Sequence, residues 1–202
     1  MIKNVIFDCS DTLVHFELNK VTAEWVGGDT DEAARIHSLT YGHPALARYC
    51  MGTLDYESAK KMVLADIDEK DREICARHME ERADHYKTID GIPELLQALK
   101  NGGYKLYILS DFPSYFEKLY DRFDYFKLFD GTCVSYEAHS GKTDGMIFTV
   151  IIDRFDLKPD ECVFIDDTSR NVKMAGTYGM KGICFKNTAD TTKKLKELGL
   201  KL

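Results

Sequence analysis

Three short apolar runs in this chain each stop at oxygen-bearing side chains, and this feature constrains the fold more than any other. Residues 4–7 are followed by Asp8, residues 104–109 by Ser110-Asp111, and residues 162–165 by Asp166-Asp167. In an open parallel sheet, ligands bind outside the carboxyl ends of the strands. If the three runs are such strands, Asp8, Asp166 and Asp167 surround one point, an oxygen-only site that suits Mg²⁺ and a phosphate.

From residue 104 onward, apolar strand patterns alternate with helical patterns. The predicted strands are 104–109, 131–135, 162–165 and 182–185, and the predicted helices are 113–122, 144–155, 171–178 and 191–198. Strands separated by helices of this length indicate βαβ units and a parallel sheet. The predicted fold class is therefore α/β.

The section between the first strand and residue 90 has a different pattern. Helical periodicity is found at residues 19–25, 30–40, 56–67 and 70–86, and no convincing strand is found there. This pattern predicts a small helical domain at 15–87, inserted into a core domain formed by 1–14 and 88–202. The histidines on these helical stretches, His37, His78 and His85, are expected at the surface.

The composition is that of a globular protein. Hydrophobic residues make up 44% and charged residues 30% of the 202 residues, the balance of an ordinary globular chain. The net charge is −7 and no Lys/Arg-rich block occurs, so neither nucleic acid nor a membrane surface is expected as a partner. Six dispersed cysteines indicate reduced thiols, and a cytoplasmic location is expected.

Four short sequence motifs contain the candidate site residues, and their order along the chain is informative. They are Phe7-Asp8-Cys9-Ser10-Asp11-Thr12-Leu13, Ile108-Leu109-Ser110-Asp111, the isolated Lys142, and Phe164-Ile165-Asp166-Asp167 followed by Asn171. This order resembles the haloacid dehalogenase-like hydrolases, and within them the phosphatase-like branch with a helical cap inserted after the first motif. The resemblance implies a Rossmann-like, doubly wound parallel sheet with a small α-helical cap domain.

The resemblance also implies a set of roles for these residues. Asp8 would be the nucleophile that attacks phosphorus and forms an aspartyl phosphate. Mg²⁺ would be held by Asp8, the backbone carbonyl of Ser10, Asp166 and Asp167. Ser110, Asp111 and Lys142 would bind the transferring phosphoryl group. The implied function is Mg²⁺-dependent hydrolysis of a small phosphomonoester, for example a sugar phosphate.

Position 10 departs from the family pattern. Phosphatases of this family usually carry an aspartate there as general acid and base, a role worth on the order of 10²–10⁴ in rate, and this chain has Ser10. Four interpretations remain open. The substrate has a leaving group that needs little protonation, or Asp11 replaces the missing acid. Alternatively, the chain is a haloacid dehalogenase, or it is a pseudo-enzyme that binds phosphate without turnover.

The helical domain would supply the contacts that select the substrate. Its candidate substrate-facing residues are His43, Arg48 and Tyr49, which lie in and after the segment Tyr41-Gly42-His43-Pro44. The small domain and its lack of basic clusters favour a small phosphorylated metabolite as the partner. The sequence does not indicate an oligomeric state.

Overall fold

A parallel sheet of five strands forms the centre of the computed structural model, which describes residues 1–202. The strands lie in the order β5-β4-β1-β6-β7. Their bounds are β1 Asn4–Phe7, β4 Lys105–Ser110, β5 Gly131–Val134, β6 Cys162–Asp166 and β7 Lys181–Cys184. The first strand is central, because Phe7 is in register with Ile108 on one side and with Ile165 on the other. The strand order reverses at β1, which is where such sheets bind ligands.

Helices cover both faces of the sheet, as the α/β prediction requires. They are α6 Ile92–Asn101, α7 Glu117–Arg122, α8 Ser135–Ala138, α9 Met146–Phe155, α10 Ser169–Thr177 and α11 Thr188–Glu197. Side chains of β1 alternate between two cores, since Val5 and Phe7 pack in one cluster and Ile6 in the other. Buried strands covered on both faces read as continuous apolar runs, which is why the sequence pattern identified them. None of the helices combines the length and hydropathy of a bilayer-spanning segment.

A group of helices, the helical insert, lies between two short strands. Its helices are α1 Leu18–Trp25, α2 Thr30–Tyr41, α3 Pro44–Cys50, α4 Tyr56–Ala65 and α5 Arg72–Glu80, and the strands are β2 Val14–Phe16 and β3 Tyr86–Thr88. The two strands pair antiparallel. The insert has a hydrophobic cluster of its own, which includes Ile36, Leu46 and Val63.

The structure corrects the sequence analysis at three elements. The interval predicted to lack strands contains both β2 and β3, and Tyr86, the first residue of β3, was assigned to a helix at 70–86. Helix α3 was not predicted. These elements are three, three and seven residues long, too short to establish a period of either kind. Pro44 begins α3, because proline lacks only an N–H that is unsatisfied at a helix start.

His78 is buried, so its predicted place at the surface is wrong. Its ring is fully inaccessible to solvent. Nδ1 lies 2.8 Å from the Thr22 hydroxyl, and Nε2 lies 3.3 Å from Nδ1 of His37. Burial lowers the pKa of His78 to about 3, and the neighbouring His37 and Arg82 act in the same direction. Imidazole at this position is therefore neutral at physiological pH.

The insert is joined to the core by specific hydrogen bonds near the carboxyl edge of the sheet. Ser135 Oγ accepts from the backbone N–H of Phe112 at 3.0 Å and donates to the carbonyl of Cys50 at 2.7 Å. The hydroxyls of Tyr49 and Ser114 lie 2.7 Å apart. A Cβ added at Gly52 would lie 2.1 Å from the carbonyl oxygen of Tyr136. The loop after α3 therefore rests directly on the core.

Candidate active site

Three adjacent strands deliver the central side chains of the candidate active site. Asp8 follows β1, Ser110 ends β4 and Asp166 ends β6. The Asp8 N–H continues the ladder by donating to the Ile165 carbonyl at 2.8 Å. All three side chains are buried, with Asp8 at 4% exposure and Asp166 at zero. Parallel strands in register bring their ends to one edge, so the expected convergence of these strands is found.

Lys142 completes the cluster from the loop before α9. Its Nζ donates to Asp8 Oδ1 at 2.6 Å and to Asp166 Oδ2 at 2.8 Å. Ser110 Oγ also donates to Asp8 Oδ1, at 2.8 Å. The Lys142 backbone N–H donates to Asp111 Oδ1 at 2.9 Å, which fixes the loop against the end of β4. The Asp111 side chain therefore contacts Lys142 at the backbone N–H of the lysine.

Asp166 is held by donors that the sequence analysis did not assign to it. The Thr168 N–H donates to Oδ1 at 2.8 Å, and Asn171 Nδ2 lies 3.1 Å from Oδ1 and 3.2 Å from Oδ2. Thr168 and Asn171 lie at the start of α10, where polar side chains and free N–H groups are common. Together with Lys142, these donors satisfy both oxygens and keep the buried carboxylate in one orientation.

The electrostatics of the cluster favour a charged lysine beside a carboxylate that is difficult to ionise. Burial raises the pKa of Asp8 to about 6, with Asp166 adding to the shift and with Lys142 and Ser110 opposing it. Burial alone would lower the pKa of Lys142, but the carboxylates of Asp8 and Asp166 more than offset that and raise it. Lys142 is therefore a fixed cation among several carboxyl groups, which leaves a net negative site.

Oxygen atoms of Asp8, Asp166 and Asp167 lie within 4.8 Å of one another. Asp167 is the exposed member, and partial burial together with the Asp166 charge raises its pKa. Three convergent carboxylates and no sulfur or imidazole make a hard donor set, which fits Mg²⁺ better than a thiophilic metal.

Two residues of the first motif, Ser10 and Asp11, have distinct environments. Asp11 adopts the left-handed conformation, with φ at 56°, and its Oδ1 lies 2.7 Å from Nδ1 of His15. That contact holds the Asp11 carboxylate, whose side chain is 48% exposed, in a local turn. Ser10 is half-buried and lies beside the hydroxyl of Tyr86.

The three candidate substrate-facing residues of the insert lie in different surroundings. His43 caps α3 by accepting from the Ala45 N–H, and its Nε2 lies 3.1 Å from Asp66. Arg48 is exposed, and Tyr49 is buried at the contact with Ser114. None of the three forms a hydrogen bond or ion pair with the carboxylate cluster.

Comparison with known proteins identifies the family. A family model described as haloacid dehalogenase-like hydrolase matches residues 2–179. The chain belongs to the haloacid dehalogenase-like hydrolases. The match confirms that the four motifs resemble those of this family. The chloroplastic flavin mononucleotide hydrolase 1 of Arabidopsis thaliana is 26% identical over 197 residues, which are 97% of this chain and 77% of that protein.

Solved structures show the same haloacid dehalogenase-like fold. A predicted HAD-like hydrolase from Porphyromonas gingivalis superimposes with a TM-score of 0.75 at 20% identity, over 98% of both chains. A HAD family enzyme from Bacteroides thetaiotaomicron, in complex with magnesium and inorganic phosphate, gives a TM-score of 0.68 at 19% identity. That match covers 93% of this chain and 96% of the other.

Proposed function

We propose that this haloacid dehalogenase-like hydrolase is a Mg²⁺-dependent phosphatase of small phosphomonoesters. The observation that carries the proposal is the pairing of buried Asp8 with Lys142 beside Asp166 and Asp167. A nucleophilic carboxylate next to a fixed cation and an acidic trio suits an anionic phosphoryl group, whose negative charge must be neutralised before a carboxylate can approach it. A dehalogenase acting on carbon has no comparable need for three carboxylates.

In the proposed reaction, one oxygen of Asp8 attacks phosphorus as the bond to the leaving oxygen breaks, which gives an aspartyl phosphate and releases the leaving group as an oxyanion that takes its proton from solvent. Water then attacks the phosphorus of the acyl phosphate, which releases inorganic phosphate and restores the Asp8 carboxylate. Lys142 and the Ser110 hydroxyl, which both donate to Asp8 in the free protein, would turn to the phosphoryl oxygens. Mg²⁺, held by Asp8, Asp166, Asp167 and the Ser10 carbonyl, would supply charge neutralisation.

The proposal includes substrates whose leaving group needs little protonation. Ser10 cannot supply a proton near neutral pH, because a serine hydroxyl is far too weak an acid. Asp11 is held by His15 in a left-handed turn, so we propose no acid role for it. Esters with a stabilised leaving oxygen, such as aryl or anomeric sugar phosphates, remain favourable substrates because they need little help from a general acid. The name of the Arabidopsis relative adds flavin mononucleotide to the esters to be tested.

The division of the chain into a core and a cap extends this proposal. The helical insert would close over the phosphoryl site and exclude water. Its own hydrophobic cluster and its contacts with Ser135 and Ser114 support that role.

The test is hydrolysis of an aryl phosphate by the wild type and by Asp8→Asn, with and without Mg²⁺. We expect turnover only when both the metal and Asp8 are present. Lys105→Met is a matched control, since this exposed lysine pairs with Asp130 away from the site, and it should hydrolyse the ester at the wild-type rate. Equal rates for Asp8→Asn and wild type, or no turnover by folded wild type that binds Mg²⁺, would contradict the proposal.

A further inference from the structure

The guanidinium of Arg82 lies between two aromatic rings where the helical insert meets β2. Its Cζ is 4.1 Å from the ring centre of Phe16 and 3.8 Å from that of Tyr41. Nε donates to the Tyr115 hydroxyl at 2.7 Å. Both flat faces of the guanidinium and one of its edges are therefore occupied. The outer edge of the guanidinium, which carries Nη1 and Nη2, remains for a further ligand.

Arg82 lacks the carboxylate partner that Arg35 and Arg77 of the insert have. Arg35 binds Asp71 at 2.8 Å and Arg77 binds Glu81 at 2.7 Å, whereas Arg82 forms no ion pair. Its Nη1 is buried and has no hydrogen-bond partner. A buried charge without a counterion is strongly unfavourable, and contact with aromatic rings offsets only part of that cost. The surroundings of Arg82 therefore lack both a counterion for its charge and a hydrogen-bond acceptor for Nη1.

A second unused polar group lies next to Arg82. The Tyr86 hydroxyl is buried and has no hydrogen-bond partner within 3.5 Å, and the side chains of Ser10 and Tyr115 are close to it. Its ring packs on Phe16, the ring that the Arg82 guanidinium covers. Tyr86 is held there because it pairs with Phe16 in the β2-β3 ribbon. Ser10 is two residues after the proposed nucleophile, so these unpartnered groups border the loop of the first motif.

We infer that Arg82 Nη1 and the Tyr86 hydroxyl form a second anion subsite, which binds a carboxylate or phosphate on the leaving group of the substrate. This inference rests on the proposed phosphatase function and narrows its substrate class to phosphomonoesters that carry a second oxyanion. Such a group would accept from both donors and would supply the counterion that Arg82 lacks. An ester with a neutral leaving group would leave both donors unpaired.

Binding of non-hydrolysable phosphonates tests the subsite independently of turnover. The probes are ω-phosphonoalkanoates and α,ω-alkanediphosphonates of increasing chain length, each compared with the alkylphosphonate of equal length in the presence of Mg²⁺. We expect one chain length at which the second oxyanion tightens binding to the wild type at least about tenfold. The two series distinguish a carboxylate from a phosphate as the preferred group.

Variants test whether Arg82 and Tyr86 cause the preference for a second oxyanion. Arg82→Met should reduce the preference for the second oxyanion to near unity, and Tyr86→Phe should reduce it by about threefold to tenfold without removing any packing atoms of the ring. Arg77→Met is the matched control, because Arg77 also lies over an aromatic ring, that of Trp25 at 3.9 Å, yet has its own carboxylate partner. It should keep the wild-type preference.

The possible failures are distinguishable. Phosphonate binding with no preference for a second oxyanion at any length would overturn the subsite and leave the phosphatase proposal intact. A preference that persists in both Arg82→Met and Tyr86→Phe would also overturn it. If no phosphonate binds to the folded wild type, the phosphoryl site itself is wrong, and the subsite is overturned together with it.

Discussion

Lys142 Nζ lies 2.6 Å from Asp8 Oδ1, although 134 positions separate the two residues in the chain. The same ammonium reaches Asp166 at 2.8 Å. Both pairs are almost fully inaccessible to solvent. This one cation holds two buried carboxylates together. Both the stability of the site and the proposed chemistry therefore depend on Lys142.

Lys142→Met should destabilise the protein strongly, because it leaves Asp8 and Asp166 buried without their shared counterion. Breaking a buried ion pair by removing one partner costs about 3–5 kcal/mol. Chemical denaturation of the metal-free protein at neutral pH measures the change in the free energy of unfolding. Lys105→Met, which removes an exposed pair with Asp130, should cost less than about 1 kcal/mol. Losses of equal size in the two variants would contradict this account.

Ser10→Asp should raise the turnover of esters with poor leaving groups, if the chain is the proposed phosphatase. A carboxyl at this position would supply the proton that serine cannot, a contribution on the order of 10²-fold for an alkyl phosphate. An aryl phosphate should gain much less. The measurement is kcat/KM for the two esters with wild type, Ser10→Asp and the near-isosteric Ser10→Asn. A similar gain in Ser10→Asn would show that the effect is not acid catalysis.

The buried His78 should make the protein less stable as the pH falls below neutrality. Its pKa is about 3 in the folded chain and about 6.5 when unfolded. The unfolded state therefore binds the proton more tightly, and stability present above pH 6.5 is lost progressively below it. Between pH 7 and pH 5 the loss is about 2 kcal/mol. Urea unfolding at several pH values should show this slope in the wild type and a smaller one in His78→Gln. The exposed His139 offers a control in His139→Asn, which should keep the wild-type slope.

Gly52→Ala should weaken the contact between the helical insert and the core. Gly52 has φ at +64°, and a Cβ there would lie 2.1 Å from the Tyr136 carbonyl oxygen. We expect a loss above about 2 kcal/mol, since the clash adds to backbone strain of about 1 kcal/mol. Gly103→Ala carries only the strain, because its φ is +83° and its surroundings are open. Thermal unfolding and limited proteolysis compare the two variants. A smaller effect at Gly52 than at Gly103 would contradict the close contact.

Local sequence determined the order of the core elements and the edge of the sheet where the site lies. Continuous apolar runs ending at Asp8, Ser110 and Asp166 specify buried parallel strands with polar ends, because strand burial on both faces leaves a continuous pattern. The motif order likewise indicated the hydrolase family, which the match over residues 2–179 confirms. The site roles inferred from that resemblance stay predictions.

Only the tertiary structure decided which groups meet and which stay without partners. The short elements β2, β3 and α3 carry too few residues for a periodic pattern. His78 was misplaced because its helix is packed against α2, a contact that lies 41 positions away in the chain. The Arg82 guanidinium contacts Phe16, Tyr41 and Tyr115, which belong to three segments that are distant in the chain. Burial and pairing of charges depend on such long-range contacts, which no local window of the sequence contains.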